Sequence, residues 1–453
     1  MTDNTHTRRE FLKLAGIGAA TAMLPSTALF AAQDRKPNVI VILADDMGYA
    51  EMGCQGCKDV TTPNIDSIAS SGVRFTDAYV TCPVCSPTRA GLMTGRYQQR
   101  FGHEHNPGPD LDRKTWGLPL DEKTIAQYMK AEGYATGVIG KWHLGDNESY
   151  HPNKRGFDEF FGFIGGAHPY LNPTINSFNM IQRNGKAVDE KEHLTYAFGR
   201  EAVSFIDRNK EKPFFLYLAF NAVHAPLQRP KRLANAFPEI KDEKRRSFAT
   251  LLKSMDDMVG SVLTKVRDEG LEKDTLIIFL SDNGGPTPNT TSRNDPFKGY
   301  KTQVHEGGIR IPYMVQWKGH IPAGKTYGKP VISLDILPTA VAAAGGKVDG
   351  KVEGVNIVPY LNGEKSGTPH ESLCWRFSKQ SAIRLGDWKL SMHEAHGIRL
   401  YNLADDPGEK KNLAGEYADK VSELSAAWDK WNSRNVKALW PSKTDAPWTD
   451  EAW

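Results

Sequence analysis

The stretch Cys82-Pro-Val-Cys85-Ser-Pro-Thr-Arg89-Ala-Gly-Leu-Met-Thr-Gly95 sets a thiol, a rigid proline and a guanidinium within five residues, as Cys85, Pro87 and Arg89. Proline fixes its own φ and biases Ser86 away from helix. A helix opening near Pro87 puts Arg89, four residues after Cys85, on the side of the thiol. A helix N-terminus also favours anions. The stretch therefore reads as a cradle for a negatively charged tetrahedral group beside a nucleophile.

Two other stretches bring oxygen ligands to strand ends. Lys36-Pro-Asn-Val-Ile-Val-Ile-Leu-Ala44 has the β-branched pattern of a buried strand and ends in Asp45-Asp46-Met-Gly48. Thr275-Leu-Ile-Ile-Phe-Leu-Ser281 repeats the pattern and ends in Asp282-Asn283-Gly-Gly285. In open α/β sheets, ligands bind at the carboxyl ends of parallel strands. Adjacent carboxylates repel unless a cation relieves them, and hard oxygen ligands suit Ca²⁺ first and Mg²⁺ second. Neither motif carries a histidine cluster, which favours a hard cation over zinc. Asp-Asp-x-Gly alone also fits a solvated turn that caps a helix; the second motif argues against that.

Basic residues follow two more strand patterns. Gly133-Tyr-Ala-Thr-Gly-Val-Ile-Gly-Lys141-Trp-His143 delivers Lys141 and His143 two residues apart, which face the same way on an extended segment. Lys212-Pro-Phe-Phe-Leu-Tyr-Leu-Ala-Phe220 is a third buried strand and leads to Asn221-Ala-Val-His224-Ala-Pro226. Taken singly, such lysines and histidines are more often solvated or packed than reactive.

Cys85-Ser-Pro-Thr-Arg89 with Leu92-Met-Thr-Gly95 resembles the signature of the type I sulfatases of the alkaline phosphatase superfamily, with Thr88 where serine is commoner. The resemblance runs through most of the chain after residue 36. It implies an α/β fold with a large, mostly parallel central sheet flanked by helices, and a small C-terminal antiparallel sheet with a helix. It implies that Cys85 is converted by a maturation enzyme to formylglycine, whose hydrate is the nucleophile. One Ca²⁺ would then be held by Asp45, Asp46, Asp282 and Asn283, with residue 85 beside it. Arg89 and Lys141 would neutralise sulfuryl oxygens, His143 would act as base on the hydrate and His224 would donate a proton. Pro296-Phe-Lys298-Gly-Tyr-Lys301-Thr-Gln-Val-His-Glu306-Gly-Gly308-Ile-Arg310 resembles a further family motif; its active-site lysine matches Lys301, with Lys298 as a possible assistant. Glu306 and Arg310 read as a structural ion pair.

The implied activity is hydrolysis of sulfate esters, most often of sulfated saccharides in exported bacterial members. His103, His105 and His168 are candidates for a sugar subsite, and Trp116, Trp142 and Trp375 for stacking on sugars. A phosphonate or phosphate diester hydrolase of the same superfamily is the nearest alternative. A third reading comes from the cysteines: Cys54, Cys57, Cys82 and Cys85 form CxxC…CxxC, the spacing of a zinc ribbon in a non-catalytic binding protein. Disulfides among them, or simple burial of Cys54 and Cys57, are the remaining options.

These motifs need a scaffold. The chain has 453 residues, enough for one large domain and a smaller one. With 57 Lys+Arg against 54 Asp+Glu, nothing in the charge points to nucleic acid. Residues 1–32 carry Thr7-Arg8-Arg9-Glu10-Phe11-Leu12-Lys13 before an Ala/Gly-rich stretch, the pattern of a twin-arginine (Tat) export signal for a periplasmic or secreted protein. Gly16, Gly18 and Pro25 make that stretch a poor permanent membrane span, and no other is long and apolar enough. Residues 36–368 are expected to form the catalytic domain and 369–453 the C-terminal subdomain. A helix is predicted from Pro63 with Thr62 as its cap, and an amphipathic one over 244–269 with Asp256 and Asp257 on its surface.

Overall fold

The structure is a computed structural model describing residues 1, 35–107, 115–171 and 179–442. The proposed export signal and cleavage region fall outside the described residues. The chain divides into residues 1–35 and 36–453, and the site lies wholly within the second unit.

The three apolar runs form strands Asn38–Ala44, Phe214–Ala219 and Thr275–Ser281, every residue of them buried. They lie side by side in the middle of a ten-stranded sheet. Asn38–Ala44 pairs in parallel with both of the others, and Phe214–Ala219 pairs in parallel with Ala135–Lys141, which pairs in parallel with Glu159–Phe163. Tyr313–Gln316 joins Thr275–Ser281 antiparallel, so the sheet is mixed at its margins. Parallel strands buried on both faces read as continuous apolar runs because helices cover each side. Val39, Val41 and Leu43 face one apolar layer with Ala90, Leu92 and Ile125; Ile40 and Ile42 face the other with Ile65, Phe198 and Phe248.

One consequence of this topology decides the chemistry. The parallel strands end at the same edge, so Asp45, Asp282, Lys141 and the turn leading to His224 all emerge there.

The long amphipathic helix spans Glu243–Asp268. Asp256 is not on its surface, as the sequence pattern suggested, but fully buried. Its Oδ1 accepts the backbone N–H groups of Asn64 (3.0 Å) and Ile65 (2.8 Å), and its Oδ2 accepts from Asn64 Nδ2 (2.8 Å). It thus caps the helix Pro63–Ser70 from 192 residues away. Thr62, the expected cap, makes no side-chain capping bond; its hydroxyl donates to Asp66 instead. Burial pushes the Asp256 carboxyl up to about 6, against the pull of these donors.

At the C-terminal end, Ser372–Phe377, Gln380–Leu385, Trp388–His393 and Gly397–Asn402 form a four-stranded antiparallel meander, followed by the helix Ala418–Asn432. Its Trp375 is fully buried and donates through Nε1 to the carbonyl of Val80 (2.7 Å), and Trp142 is fully buried and donates to Tyr150 (2.9 Å). Both are therefore packing residues rather than sugar platforms. Trp116 stacks on Trp440, with ring centroids 5.4 Å apart.

Candidate active site

Cys85 is the first residue of the helix Cys85–Thr94, and Val84, in extended conformation, precedes it. The thiol meets the strand ends directly: its Sγ lies 3.5 Å from Asp45 Oδ1, 3.9 Å from Asp46 Oδ1 and 3.3 Å from Lys301 Nζ. Arg89, one turn on, is fully buried and grips Asp282 Oδ2 through Nε (3.0 Å) and Nη2 (2.8 Å). Its Nη1 donates to the carbonyl of Lys141 (3.1 Å), so one guanidinium ties the helix to two strand ends. Lys141 Nζ pairs with Asp45 Oδ2 and Lys301 Nζ with Asp46 Oδ1, both at 2.6 Å.

Asp46 adopts φ 65°, in the left-handed region. Asx residues tolerate that region when their surroundings hold them there. Here the Asp46 N–H donates to Asp282 Oδ1 (3.1 Å), and Asn283 Nδ2 donates to Asp46 Oδ1 (2.8 Å). Lys141 ends its strand, and His143 turns back at φ 60°. The simple i, i+2 argument for their common direction therefore does not hold; the left-handed turn brings His143 to the site. His224 lies beyond the strand Phe214–Ala219, its Nε2 3.6 Å from Asp46 Oδ2 and its Nδ1 2.6 Å from the carbonyl of Ala225.

Burial works against every charge here, and the arrangement answers it pairwise. Burial would raise Asp46, but Lys301 and His224 hold its carboxyl below the usual carboxylate range. Asp282 is likewise held low against burial by Arg89 and Lys141. Burial would lower Lys301, yet Asp46 and the Cys85 thiol raise it well above an ordinary lysine. The Cys85 thiol itself is pushed far up by burial and by Asp282, so it is no thiolate at neutral pH. His143 is driven well below its ordinary value by burial, then by Lys141 and Arg89, and stays neutral.

Cys85, His143, His224 and Lys301 line one cavity of about 420 Å³, together with Asn106, Asp146, Ile164, Gly165, Gly166 and Asn179. Asn106, Asp146 and Asn179 went unnoticed in the sequence; polar residues in loops carry no periodic signal, although Asn106 directly follows the subsite candidate His105. Gly166 matters sterically: a Cβ there would lie 2.5 Å from His143 Nε2.

The four remaining candidates are not among the residues lining that cavity. His103 is fully buried and bonded to Ser86; His105 is buried against Phe377; and His168 is buried, its Nδ1 against the carbonyl of Pro169 (2.7 Å). Lys298 is half-buried, and its ammonium is lowered by burial against the pull of Glu409.

The carboxylates fit a hard cation. Ligand atoms of Asp45, Asp46, Cys85 and Asp282 lie within 4.8 Å of one another, the one such group among the described residues. Asn283 Oδ1 is buried beside them and accepts no hydrogen bond. An orphaned carbonyl next to three carboxylates is the donor set of an oxygen-ligated cation. The zinc-ribbon reading fails on the same ground, because the four cysteines do not gather: Cys54 lies by Asp66, Cys57 by Asp59, and Cys85 with the aspartates. All five cysteines are free, which removes the disulfide alternatives.

The relatives agree with this geometry. A family model described as Sulfatase matches residues 37–346, and one described as N-sulphoglucosamine sulphohydrolase, C-terminal, matches 299–430. Arylsulfatase A of Homo sapiens is 32% identical over 466 residues, spanning 91% of this chain and 90% of that protein. N-acetylgalactosamine-6-sulfatase of Homo sapiens is 33% identical over 469 residues, spanning 91% and 86%. Among solved structures, Ps i-CgsB in complex with k-i-k-neocarrahexaose is similar at TM-score 0.86 and 37% identity, covering 90% of this chain and 96% of that one. A strand-edge constellation of Asp45, Asp46, Asp282 and Cys85, on a chain matched this completely, leaves one conclusion: it belongs to the sulfatase family of sulfuric ester hydrolases, built on the alkaline phosphatase-like fold.

Proposed function

We propose that the protein removes sulfate from sulfated saccharides, using a formylglycine made from Cys85 and a Ca²⁺ held by Asp45, Asp46, Asp282 and Asn283. The observation that carries this reading is the position of Cys85: a protonated, poorly nucleophilic thiol between three carboxylates and three cations, in the lining of a cavity. Left as a thiol it is badly placed for nucleophilic chemistry; as an aldehyde hydrate it has bases and cations on every side. The saccharide class is supported by the neocarrahexaose-bound relative and by the N-acetylgalactosamine-6-sulfatases.

Bound Ca²⁺ would supply Lewis-acid charge to the sulfuryl oxygens. The hydrate at position 85 would supply one hydroxyl to attack sulfur and a second whose deprotonation expels sulfate. The remaining work falls to side chains in fixed positions. Arg89, Lys141 and Lys301 neutralise charge that grows on the sulfuryl oxygens, preorganised by their bonds to Asp282, Asp45 and Asp46. The Ala225 carbonyl accepts from His224 Nδ1–H, which fixes the ring and leaves Nε2, on the cavity side, as the nitrogen that would pass a proton to the leaving alcohol. His143, kept neutral by burial and by Lys141 and Arg89, accepts the proton of the second hydroxyl.

The reading extends to the rest of the chain. Residues 36–368 act as the catalytic part, with 369–453 as the supporting subdomain. Arg8-Arg9 and the Ala/Gly-rich stretch after them support export by the twin-arginine machinery to the periplasm or beyond, after a maturation enzyme has modified Cys85. No helix among the described residues is long and apolar enough to cross a membrane. Sulfate release from defined sulfated saccharides, compared with hydrolysis of aryl phosphonate esters, tests the reading. Preference for the phosphonate would replace it with the diesterase alternative.

A further inference from the structure

His103 is a fully buried histidine that the mechanism above does not use. Its Nε2 lies 2.6 Å from Ser86 Oγ, and the same Oγ lies 2.6 Å from the carbonyl oxygen of His143. A serine hydroxyl has one proton. The carbonyl of His143 can only accept, so Ser86 spends that proton on it. His103 must then carry a proton on Nε2 and donate it to Ser86. Burial drives His103 down to about 3, against the pull of the Gly117 carbonyl, so the ring is neutral and carries a single proton, which the Ser86 geometry assigns to Nε2.

The chain His103–Ser86–His143 ends at a strained residue. His143 sits at φ 60°, a conformation that is unfavourable for a non-glycine residue and persists only where neighbours hold it. Two bonds hold it: its N–H donates to the carbonyl of Ile164 (3.0 Å), and its carbonyl takes the Ser86 proton. Ser86 is also the residue after Cys85, so the same hydroxyl fixes the distance between the residue that bears the nucleophile and the histidine across the cavity. Behind the pair, the Trp440 ring packs edge-on against His103 at 4.7 Å, and Trp440 Nε1 donates to the carbonyl of His105 (3.0 Å).

We propose that His103 and Ser86 are positioning residues for the reaction: a buried Nε2–H tautomer of His103 orients the Ser86 hydroxyl, which locks His143 in its left-handed turn. This rests on the reading of His143 as the base beside residue 85. It predicts a selective loss of kcat. His103→Leu and Ser86→Ala should each lower kcat, normalised to the aldehyde content at residue 85, by about ten- to a hundredfold, with KM changed less than about threefold. The double variant should be no worse than either single one by more than about threefold, since both break one chain. His103→Gln, whose side-chain amide can supply the same donor, should recover most of the loss. In the wild-type protein, histidine ¹⁵N shifts should show a neutral ring protonated at Nε2 that persists well below pH 6 and is missing from the His103→Gln spectrum.

Three results would overturn the proposal. The first is a His103→Gln variant no better than His103→Leu at equal folded fraction. The second is losses that multiply in the double variant. The third is an Nδ1–H tautomer at His103. A wild-type protein with no aldehyde at residue 85 and no sulfate release would instead sink the functional reading, and the ¹⁵N signature of His103 would still decide whether the buried chain exists.

Discussion

Two buried clusters in this molecule each set three carboxylates against three lysine or arginine side chains. At the strand edge these are Asp45, Asp46 and Asp282 with Arg89, Lys141 and Lys301. Where the C-terminal sheet meets the large one, Asp77, Glu306 and Glu409 face Arg310, Arg384 and Lys389. Charge balance does not tell them apart. The second cluster is closed: Lys389 bridges Glu306 and Glu409 at 2.9 Å each, Tyr79 donates to Glu306 (2.7 Å), and the backbone N–H of Glu306 donates to Glu409 (2.7 Å). The first is open: Asn283 Oδ1 has no partner, and Cys85 and Lys301 face a cavity. The lesson is that access to a cavity, rather than the presence of buried charge, separates a site from a fastener. The expected Glu306–Arg310 ion pair is real at 3.2 Å, but it is one strand of that fastener.

Substitutions can push the two clusters in opposite directions. The largest effect belongs to the open one. Cys85→Ala should remove more than about a thousandfold of kcat, as loss of a nucleophile does, while the urea midpoint stays close to wild type; activity surviving the change would end the proposed mechanism. Lys301→Met should cost about 10²–10³ in kcat, the scale of a lost charge-stabilising donor, measured as sulfate release per aldehyde. The closed cluster should answer in stability instead. Lys389→Met leaves Glu409 buried without its lysine and Glu306 with Arg310 alone, and should destabilise by about 3–5 kcal/mol in urea titrations, with kcat per folded molecule unchanged. Gly166→Ala sharpens the contrast further: its methyl group would press on His143, lowering kcat by about tenfold or more with little change in melting temperature.

The smallest effect is a pH dependence. Burial would raise Glu409, but Lys389 and His305 outweigh it and hold the carboxyl down to about 2. A carboxyl whose folded pKa lies below its unfolded value, about 4.3, contributes stability that is complete above that value and is lost as pH falls toward the folded one. Stability should therefore decline between about pH 4.5 and pH 2, and Lys389→Met should flatten the Glu409 share of that slope. A slope unchanged by the substitution would remove Glu409 as its source.

What the sequence revealed follows the reach of each signal. Asp45-Asp46, Asp282-Asn283, Lys141 and Cys85 were legible because each sits next to its own strand end or helix start, and the parallel topology then carries them to one edge. Asp256 was misplaced because the groups it caps lie 192 residues away, and an acidic pair on an amphipathic helix gives no hint of them. His103 reads as a sugar-subsite candidate because its segment follows the Cys85 signature helix; only the fold shows Ser86 and Trp440 closing over it. The Lys389–Glu306–Glu409 fastener joins segments with no common motif, so nothing local announced it.

The most direct measurement is the mass of the tryptic peptide Phe75 to Arg89, taken on active protein from its own host together with the rate of sulfate release. The account predicts an aldehyde at residue 85, in a fraction that rises and falls with specific activity across preparations. Full activity from protein whose Cys85 is entirely an unmodified thiol would contradict it.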